Sequence, residues 1–152
     1  MKISTKGRYA LEAVTDLVLH AGDQYGSIRG IAQRRGLSDN YLEQLFLQLR
    51  RAGLVESVRG PQGGYRLARD PSAVSAGDVL RAAEGSLAPV DCLEREGDAS
   101  CAREERCVTR NVWFRLSQEI GEVLDRLSIE ALVAAVRQEQ GRETEPFIDY
   151  CI

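Results

Sequence analysis

The sequence predicts a mainly α-helical chain with one small β-hairpin, and three observations lead to this prediction. Apolar residues recur at helical spacing along most of the chain, between serines that can cap helices and glycines that can end them. Two short extended runs flank a glycine-rich turn near the middle of the sequence. The 152 residues are 43% hydrophobic and 28% charged, which is enough apolar material for a globular core.

The first two helices are predicted from apolar periodicity and from the residues that start and stop helices. Apolar residues within 9–18 lie at helical spacing, and this first helix is expected to end near Gly22. Ser27 is placed to cap a short second helix, because its hydroxyl can accept from the first backbone N–H groups. Gly36 is expected to terminate that helix.

A third helix is predicted almost immediately after the second. Ser38 is placed to cap it and Gly53 to end it. Only Gly36 and Leu37 separate the second helix from this cap, and a turn that short is typical of a helix-turn-helix. The third helix is expected to bury one apolar face, formed by Leu42, Leu45, Phe46 and Leu49.

The glycine-rich turn predicts a β-hairpin directly after these helices. Residues 54–58 and 65–67 are predicted to be its strands, and residues 60–64 to be the turn. A helix-turn-helix followed by such a hairpin is the composition of a winged helix. The predicted fold class is therefore a mainly α-helical winged helix-turn-helix domain, with the hairpin as its wing.

The second half of the chain predicts a loop and a long helix. Ser75 begins the letters S-A-G-D, a capping box that opens a fourth helix. Residues 85–107 show little periodicity and hold three of the four cysteines. Apolar residues between Val112 and Leu127 then form a long stripe at coiled-coil-like spacing, and Ser128 can cap a final helix.

These features divide the chain into four parts. Residues 1–84 are predicted to be the winged helix-turn-helix domain, 85–107 a cysteine-bearing loop, 108–140 a dimerisation helix with the helix after it, and 141–152 a polar tail. The long stripe is too apolar for a solitary exposed helix, so it must cover its own domain, a partner, or both. A homodimer is favoured, because helix-turn-helix proteins usually pair to match two operator half-sites.

The charge distribution favours a nucleic-acid partner more than the net charge of −3 suggests. Residues 1–70 hold 11 lysines and arginines against 7 acids, whereas the rest of the chain holds 9 against 16. A basic front half and an acidic rear half suit a protein that turns one face toward phosphates. A chance asymmetry of solvated surfaces is the alternative.

The third helix is predicted to read double-stranded operator DNA in the major groove. Its polar face offers hydroxyl and amide groups that can donate to and accept from base edges, and a carboxylate that can accept from cytosine. These groups belong to Ser38, Asn40, Glu43 and Gln44. Arg50 and Arg51 lie near the other end of the helix and are better placed for phosphates.

The wing is predicted to add a second DNA contact. Pro61 is expected to push Gly60 toward an extended conformation, while Gly63 and Gly64 can adopt positive φ, so the tip is compact and poor in side chains. Arg59 at its base can enter a narrow minor groove, which attracts positive charge. The alternative is an ordinary turn whose arginines are solvated. A phosphate-binding P-loop is disfavoured, because no Lys-Ser/Thr pair follows the glycines.

Four segments resemble one known family. They are S-T-K-G-R-Y-A-L at the start, S-D-N-Y-L-E-Q-L-F in the third helix, L-R-R-A-G-L-V-E-S-V-R-G-P-Q-G-G-Y-R-L through the wing, and C-V-T-R-N-V-W later. They are similar to the IscR-like iron–sulfur cluster regulators, which are winged-helix repressors, over about residues 1–135. The resemblance implies base contacts by the polar face of the third helix, with Glu43 tuning operator choice, and minor-groove insertion of Arg59. It also implies dimerisation through the long helix.

The cysteine-bearing loop has the spacing C-x8-C-x5-C, formed by Cys92, Cys101 and Cys107. Thiolates bind iron–sulfur clusters, and an irregular loop can wrap around one. Structural zinc is disfavoured, because the usual C-x2-4-C knuckle is absent. Incidental reduced cysteines are as compatible with the spacing alone. The resemblance implies that these three cysteines bind an iron–sulfur cluster, with 2Fe–2S favoured and 4Fe–4S possible.

The fourth cluster ligand stays open. The histidine that best-known IscR proteins place three residues after the last cysteine is Arg110 here, and a guanidinium is a poor iron ligand. The aspartate that nitric-oxide-sensing relatives place near the start of the first helix is Arg8 here. The remaining candidates are a small external thiol and the side chains His20, Glu43, Asp91, Glu104, Glu105 and Cys151.

The sequence as a whole predicts a cytoplasmic regulator that responds to cluster status, mainly as a repressor of cluster-biogenesis genes. One alternative is a cluster-free regulator of the same fold, which controls cysteine and sulfur metabolism through a protein partner or thiol oxidation. An enzyme or electron carrier is a second alternative, disfavoured by the absence of a nucleotide-binding loop and by a single histidine. No membrane span or signal segment is predicted.

Overall fold

A computed structural model describes residues 4–61, 63–93 and 106–143. Within these residues the chain forms six α-helices and one two-stranded antiparallel sheet, as predicted. The elements are α1 (Thr5–Ala21), α2 (Ile28–Arg35), α3 (Asp39–Arg51), β1 (Val55–Val58), β2 (Gly64–Leu67), α4 (Ala76–Glu84), α5 (Arg110–Arg126) and α6 (Ile129–Glu143).

The predicted helix starts are confirmed by their capping hydrogen bonds. The hydroxyl of Ser27 accepts from the backbone N–H of Gly30, and that of Ser38 from the N–H of Tyr41. The capping box at Ser75 is complete in both directions, because its hydroxyl and the Asp78 carboxylate each accept from the other residue's backbone N–H. Each cap satisfies backbone groups that the helix itself leaves unpaired.

Helix α1 lies at the centre of the domain and contacts α2, α3, α4 and α6. One face of it is fully buried through Ala10, Ala13, Val14 and Leu17, and α3 adds the predicted apolar face. Helix α6 returns to α1 and buries Ile129 and Val133 against it. The core therefore joins elements from both halves of the chain.

The helix-turn-helix is attached to the core by a buried carboxylate. Asp16 on α1 is 1% exposed, and two arginines at the end of α2 bind its oxygens. Both Nε and Nη2 of Arg34 donate to Oδ2, at 2.9 and 2.7 Å, while Nε of Arg35 donates to Oδ1 at 2.9 Å. A buried carboxylate needs such partners. The contact thus positions the end of α2 just before the turn that leads to α3.

The hairpin packs against both the start of α2 and the recognition helix α3. Strands β1 and β2 pair from Val55 opposite Leu67 to Val58 opposite Gly64. A further pair of backbone hydrogen bonds joins Tyr65 to Gly26, which precedes α2. The ring of Tyr65 also lies 5.0 Å from that of Phe46, centre to centre.

Helix α5 stands apart from this core, because none of its residues is buried. Its main contact is with α4, where both Asp125 oxygens accept from Arg81 Nη2 at 2.6 and 2.7 Å. The turn after α5 is tied down by backbone hydrogen bonds from Ala76 to Leu127 and from Ile129 to Val74. No helix in the described residues is long and apolar enough to cross a membrane.

We expect Asp16→Ala to lower the free energy of unfolding by about 2 kcal/mol, because it removes three charge-assisted hydrogen bonds that join α1 to the end of α2. Chemical denaturation of both proteins measures the difference. Glu122→Ala is the control, since Glu122 pairs with Arg126 on the open surface of α5 and such pairs contribute little. Equal stability of Asp16→Ala and the wild type would contradict the role of this contact.

Candidate nucleic-acid interface and cysteine segment

Helix α3 separates a buried apolar face from an exposed polar one. The face opposite the core carries Asn40, Glu43 and Gln44, all exposed, and no described residue forms a hydrogen bond or ion pair with their side chains. Their donors and acceptors are therefore available to a ligand. The structure brings these predicted residues together within the first two turns of one helix.

Ser38 serves the helix and keeps one hydrogen-bonding group in reserve. Its oxygen accepts from the N–H of Tyr41 at 3.2 Å, which uses it as the N-cap of α3. The hydroxyl hydrogen is not needed for that bond. The exposed Ser38 can therefore still donate to a base or a phosphate beside Asn40.

The wing turn depends on its glycines in a different way from the one predicted. Gly60 has a φ of 126°, so the expectation of an extended Gly60 was wrong. Gly64 has positive φ and Gly63 does not, so the expectation of positive φ at Gly63 was also wrong. Gly63 is required for space instead, because a Cβ there would overlap the carbonyl oxygen of Val58. A Cβ on Gly64 would likewise overlap the backbone of Gly26. At the wing turn, backbone segments therefore lie so close together that no side chain fits at Gly63 or Gly64.

The two wing arginines have different surroundings. Arg66 donates to Glu56 and lies over the ring of Tyr25, with its guanidinium carbon 4.8 Å from the ring centre. The Arg66 hydrogen bond, followed by one from the Tyr25 hydroxyl, lowers the pKa of the Glu56 carboxyl below its usual value. Arg59 is exposed and has no such partner among the described residues. Arg59 is thus the wing cation that is free to meet a ligand.

The two arginines at the end of α3 also differ. Arg50 Nη1 donates to the Ser57 hydroxyl at 3.0 Å, which ties the helix to strand β1. Arg51 is exposed and makes no such bond with the described residues. Both lie in the last turn of α3, and Arg50 combines a contact to the wing with the position predicted for a phosphate-binding residue.

An aromatic contact beside the interface was not predicted from the sequence. The rings of Tyr9 on α1 and Tyr41 on α3 meet edge to face, with their centres 6.0 Å apart. Arg8 lies over the Tyr9 ring at 5.5 Å. The start of α1 therefore borders the recognition helix. Tyr41 stands three residues after the Ser38 cap and is 37% exposed. No local sequence pattern indicates its contact with Tyr9.

The described cysteines lie at the two ends of the cysteine segment. Cys92 is exposed in a short 3-10 turn over Asp91–Leu93, and Cys107 is exposed just before α5. The Thr109 hydroxyl lies 3.5 Å from the Cys107 sulfur. Hydrogen bonds from Thr109, first from its side chain and then from its backbone, lower the pKa of the Cys107 thiol. Cys101 lies outside the described residues.

The candidate fourth ligands are scattered across the molecule. Nδ1 of His20 donates to the backbone carbonyl of Asp16 at 3.0 Å, and Glu43 lies on the recognition face. Asp91 adjoins Cys92, whereas Glu104, Glu105 and Cys151 lie outside the described residues. Within residues 4–61, 63–93 and 106–143, no three His, Cys, Asp or Glu side chains gather closely enough to hold a metal ion.

Fold and site together define a class of protein. A helix-turn-helix with an exposed, unpaired polar face on its second helix, followed by a wing that carries a free arginine, is the architecture of a winged-helix DNA-binding regulator. The family model described as "Rrf2: Iron-dependent Transcriptional regulator" matches residues 3–135. The chain belongs to this family of transcriptional regulators.

Its relatives include two kinds of regulator. The HTH-type transcriptional regulator CymR of Bacillus subtilis is 44% identical over 140 residues, covering 92% of this chain and 95% of its own. Its solved structure, described as the global cysteine regulator, matches with a TM-score of 0.71 at 42% identity, over 89% of this chain and 98% of that chain.

The second kind is IscR. The HTH-type transcriptional regulator IscR of Yersinia enterocolitica is 42% identical over 133 residues, covering 88% of this chain and 79% of its own. The structure of T. potens IscR matches with a TM-score of 0.73 at 41% identity, over 92% of this chain and 91% of that chain. The predicted IscR-like resemblance is confirmed, and so is the expectation of a regulator rather than an enzyme.

We expect Gly63→Ala to weaken DNA binding about tenfold, because the added methyl group forces the Val58 carbonyl, and with it the wing, to move. Electrophoretic or fluorescence titration of a bound duplex measures the change. Gly141→Ala on α6 is the control, since a Cβ there meets nothing within 4 Å. Unchanged affinity of Gly63→Ala would show that wing geometry does not matter for binding.

Proposed function

We propose that this protein is a homodimeric, cytoplasmic transcriptional repressor that binds operator DNA through α3 and the wing and responds to the state of its cysteine segment. The observation that carries the proposal is the unpaired polar face of α3 beside the unpaired Arg59. Polar side chains that lie on a rigid helix and have no protein partner are available to bind a ligand.

The chemistry of the α3 face suits the major groove. The amides of Asn40 and Gln44 can make paired hydrogen bonds with adenine, and the Glu43 carboxylate can accept from cytosine N4. Because a carboxylate repels phosphates and guanine acceptors alike, Glu43 excludes sequences as well as selecting them. Ser38 adds a hydroxyl donor at the start of the helix. We assign these four residues to base contacts.

The arginines and the wing divide the remaining contacts. Arg59 is assigned to a narrow minor groove next to the site that α3 reads, and the glycine-rich turn of Gly60, Gly63 and Gly64 lets the backbone approach the DNA closely. Arg51, and Arg50 with its Ser57 contact, are assigned to phosphates. Phosphate contacts set the register, whereas base contacts select the sequence.

Helix α5 carries the proposed dimer interface. Its half-buried residues Trp113, Ile120 and Leu124 face α4 and the rest of the domain. A second apolar row stays exposed, with Val112 at 60% and Val123 at 55%, and it also includes Leu116 and Leu127. This exposed row extends over about four helical turns, with Glu119 between Leu116 and Val123, and exposed apolar surface of this extent is unfavourable in water. A second copy of the same helix covers it and presents two recognition helices to two half-sites.

The proposed signal is an iron–sulfur cluster held by Cys92, Cys101 and Cys107. The two thiols that the structure describes fit this role, because both are exposed and unpaired at the borders of one segment. When bound, a cluster would make the protein sensitive to oxidants and to iron supply, because the cluster is lost or altered on oxidation or iron shortage. Both 2Fe–2S and 4Fe–4S forms suit three thiolates and one further ligand, with 2Fe–2S favoured. Genes for cluster biogenesis are the expected targets.

A cluster-free regulator of cysteine and sulfur metabolism is the second candidate. It is supported by the similarity to CymR, whose solved structure is described as a cysteine regulator. The exposed Cys107 thiol, whose pKa is lowered by Thr109, also suits reversible oxidation. The two candidates share the DNA interface and differ only in what the cysteine segment binds.

We expect Arg59→Ala to weaken binding most at operators whose flanks form a narrow minor groove, by about tenfold or more. Arg51→Ala is the matched control and is expected to weaken all duplexes alike and to reduce the salt dependence of binding. Titrations on operators that differ only in A·T content beside the α3 site make the comparison. Uniform loss for Arg59→Ala would assign it to phosphate instead.

We expect anaerobically purified protein to contain iron and acid-labile sulfide, and each of Cys92→Ala, Cys101→Ala and Cys107→Ala to lose both while keeping its helical content. Metal and sulfide analysis with visible absorbance measures the loss. Glu122→Ala on the surface of α5 is the control, since Glu122 is not among the candidate ligands. Wild-type protein without iron would support the cluster-free candidate, and equal operator affinity with and without cluster would refute cluster sensing.

A further inference from the structure

The last residue of α4 is bonded to the first turn of α1. The Glu84 Oε1 atom accepts from the Ser4 hydroxyl at 2.6 Å, the Gly7 N–H at 2.8 Å and the Ser4 N–H at 3.0 Å. Ser4 is also the N-cap of α1. One carboxylate thus holds three donors at the start of a helix that is 77 or more residues distant in sequence.

The held turn of α1 borders the recognition helix. Tyr9 follows Gly7 by two residues, and its ring meets that of Tyr41, which lies in the first turn of α3 next to Asn40. A shift of the start of α1 can therefore reach the first turn of α3 through this aromatic contact, beside the core packing between the two helices. No other described carboxylate on α4 accepts hydrogen bonds from α1.

Glu84 is also the point where the domain meets the cysteine segment. Gly85, with φ of 87°, ends α4, and the segment with Cys92 follows. In the same last turn, α4 is joined to α5 by the Arg81–Asp125 contact. Helix α4 is accordingly held by the DNA-binding body at Glu84 and by the helix that follows the segment at Arg81.

We propose that Glu84 is a positioning residue for operator binding: it sets the start of α1, and through Tyr9 and Tyr41 the position of α3. The proposal rests on the proposed function and names a contact outside the DNA-facing surface that shapes it. Coupling of this kind requires a contiguous set of packed contacts, and the Glu84–Ser4 and Tyr9–Tyr41 contacts supply one.

The chemistry of the contact supports a positional role. The Ser4 hydroxyl, and after it the backbone N–H groups, lower the pKa of the Glu84 carboxyl, so it stays charged at neutral pH. Its contribution is present above the ordinary pKa of glutamate and is lost as the pH falls through the lowered value. Gly7 leaves room for the carboxylate, since a Cβ there would overlap Oε1.

Two variants disturb this contact and differ in how much stability they lose. Glu84→Ala removes the acceptor and is expected to destabilise the domain. Gly7→Ala displaces the same carboxylate, but alanine favours a helix more than glycine does, so its loss of stability is expected to be smaller. We expect both to weaken binding to an operator selected from a random library by the wild type, by about five- to tenfold, with Glu84→Gln between them and the wild type.

Asp70→Asn is the matched control. Asp70 accepts from the Ser72 hydroxyl and N–H, and these bonds lower the pKa of its carboxyl, but it joins no two helices. We expect it to lower the melting temperature without changing operator affinity. In a Tyr41→Leu background the Gly7→Ala and Glu84→Ala effects on affinity are expected to vanish, because the aromatic contact that carries them is gone.

The outcomes distinguish this proposal from the proposed function on which it rests. If the wild type selects no operator, the proposed function fails, and this inference fails with it. If the wild type selects an operator that Gly7→Ala and Glu84→Ala bind equally well, only the role of Glu84 is refuted. Full additivity with Tyr41→Leu, or an affinity loss in Asp70→Asn that matches its loss of stability, would also refute it.

Discussion

Asp16 lies on the central helix inside the core, where an unpaired carboxylate would be very unfavourable. Arg34 and Arg35 satisfy both of its oxygens from the last turn of α2. Since the turn to α3 follows directly, this contact fixes the angle at which the recognition helix leaves the domain. The Asp16 contact therefore affects the position of the exposed polar face of α3. It also affects the wing that packs on Phe46 and the Tyr41 contact.

The exposed polar surface of α3 and the wing is packed more tightly onto the core than helix α5 is. Behind this surface lie closely packed parts, such as the Phe46 and Tyr65 rings and the glycines of the wing turn. Helix α5 is held loosely, with no buried residue and one strong contact to α4. A rigid reader joined to a lightly attached helix is an arrangement in which a small change beside α5 can alter DNA binding without unfolding the core.

Membership of the family defines this chain as a transcriptional regulator more clearly than it defines the signal to which the chain responds. CymR and IscR relatives are each more than 40% identical to this chain. The family model covers residues 3–135, so the match extends from the helix-turn-helix past the cysteine segment. The departures from the usual ligand positions lie at Arg8 in α1 and at Arg110, the first residue of α5.

The sequence by itself determined the helices, their caps at Ser27, Ser38 and Ser75, the hairpin and the polar face of α3, because these depend on periodicity and on local hydrogen bonds. Contacts between residues distant in sequence were decided by the tertiary structure alone. The Asp16 ion pairs, the Glu84 link to Ser4 and the close approach of Gly64 to Gly26 each depend on which elements meet in space, and no local pattern records that.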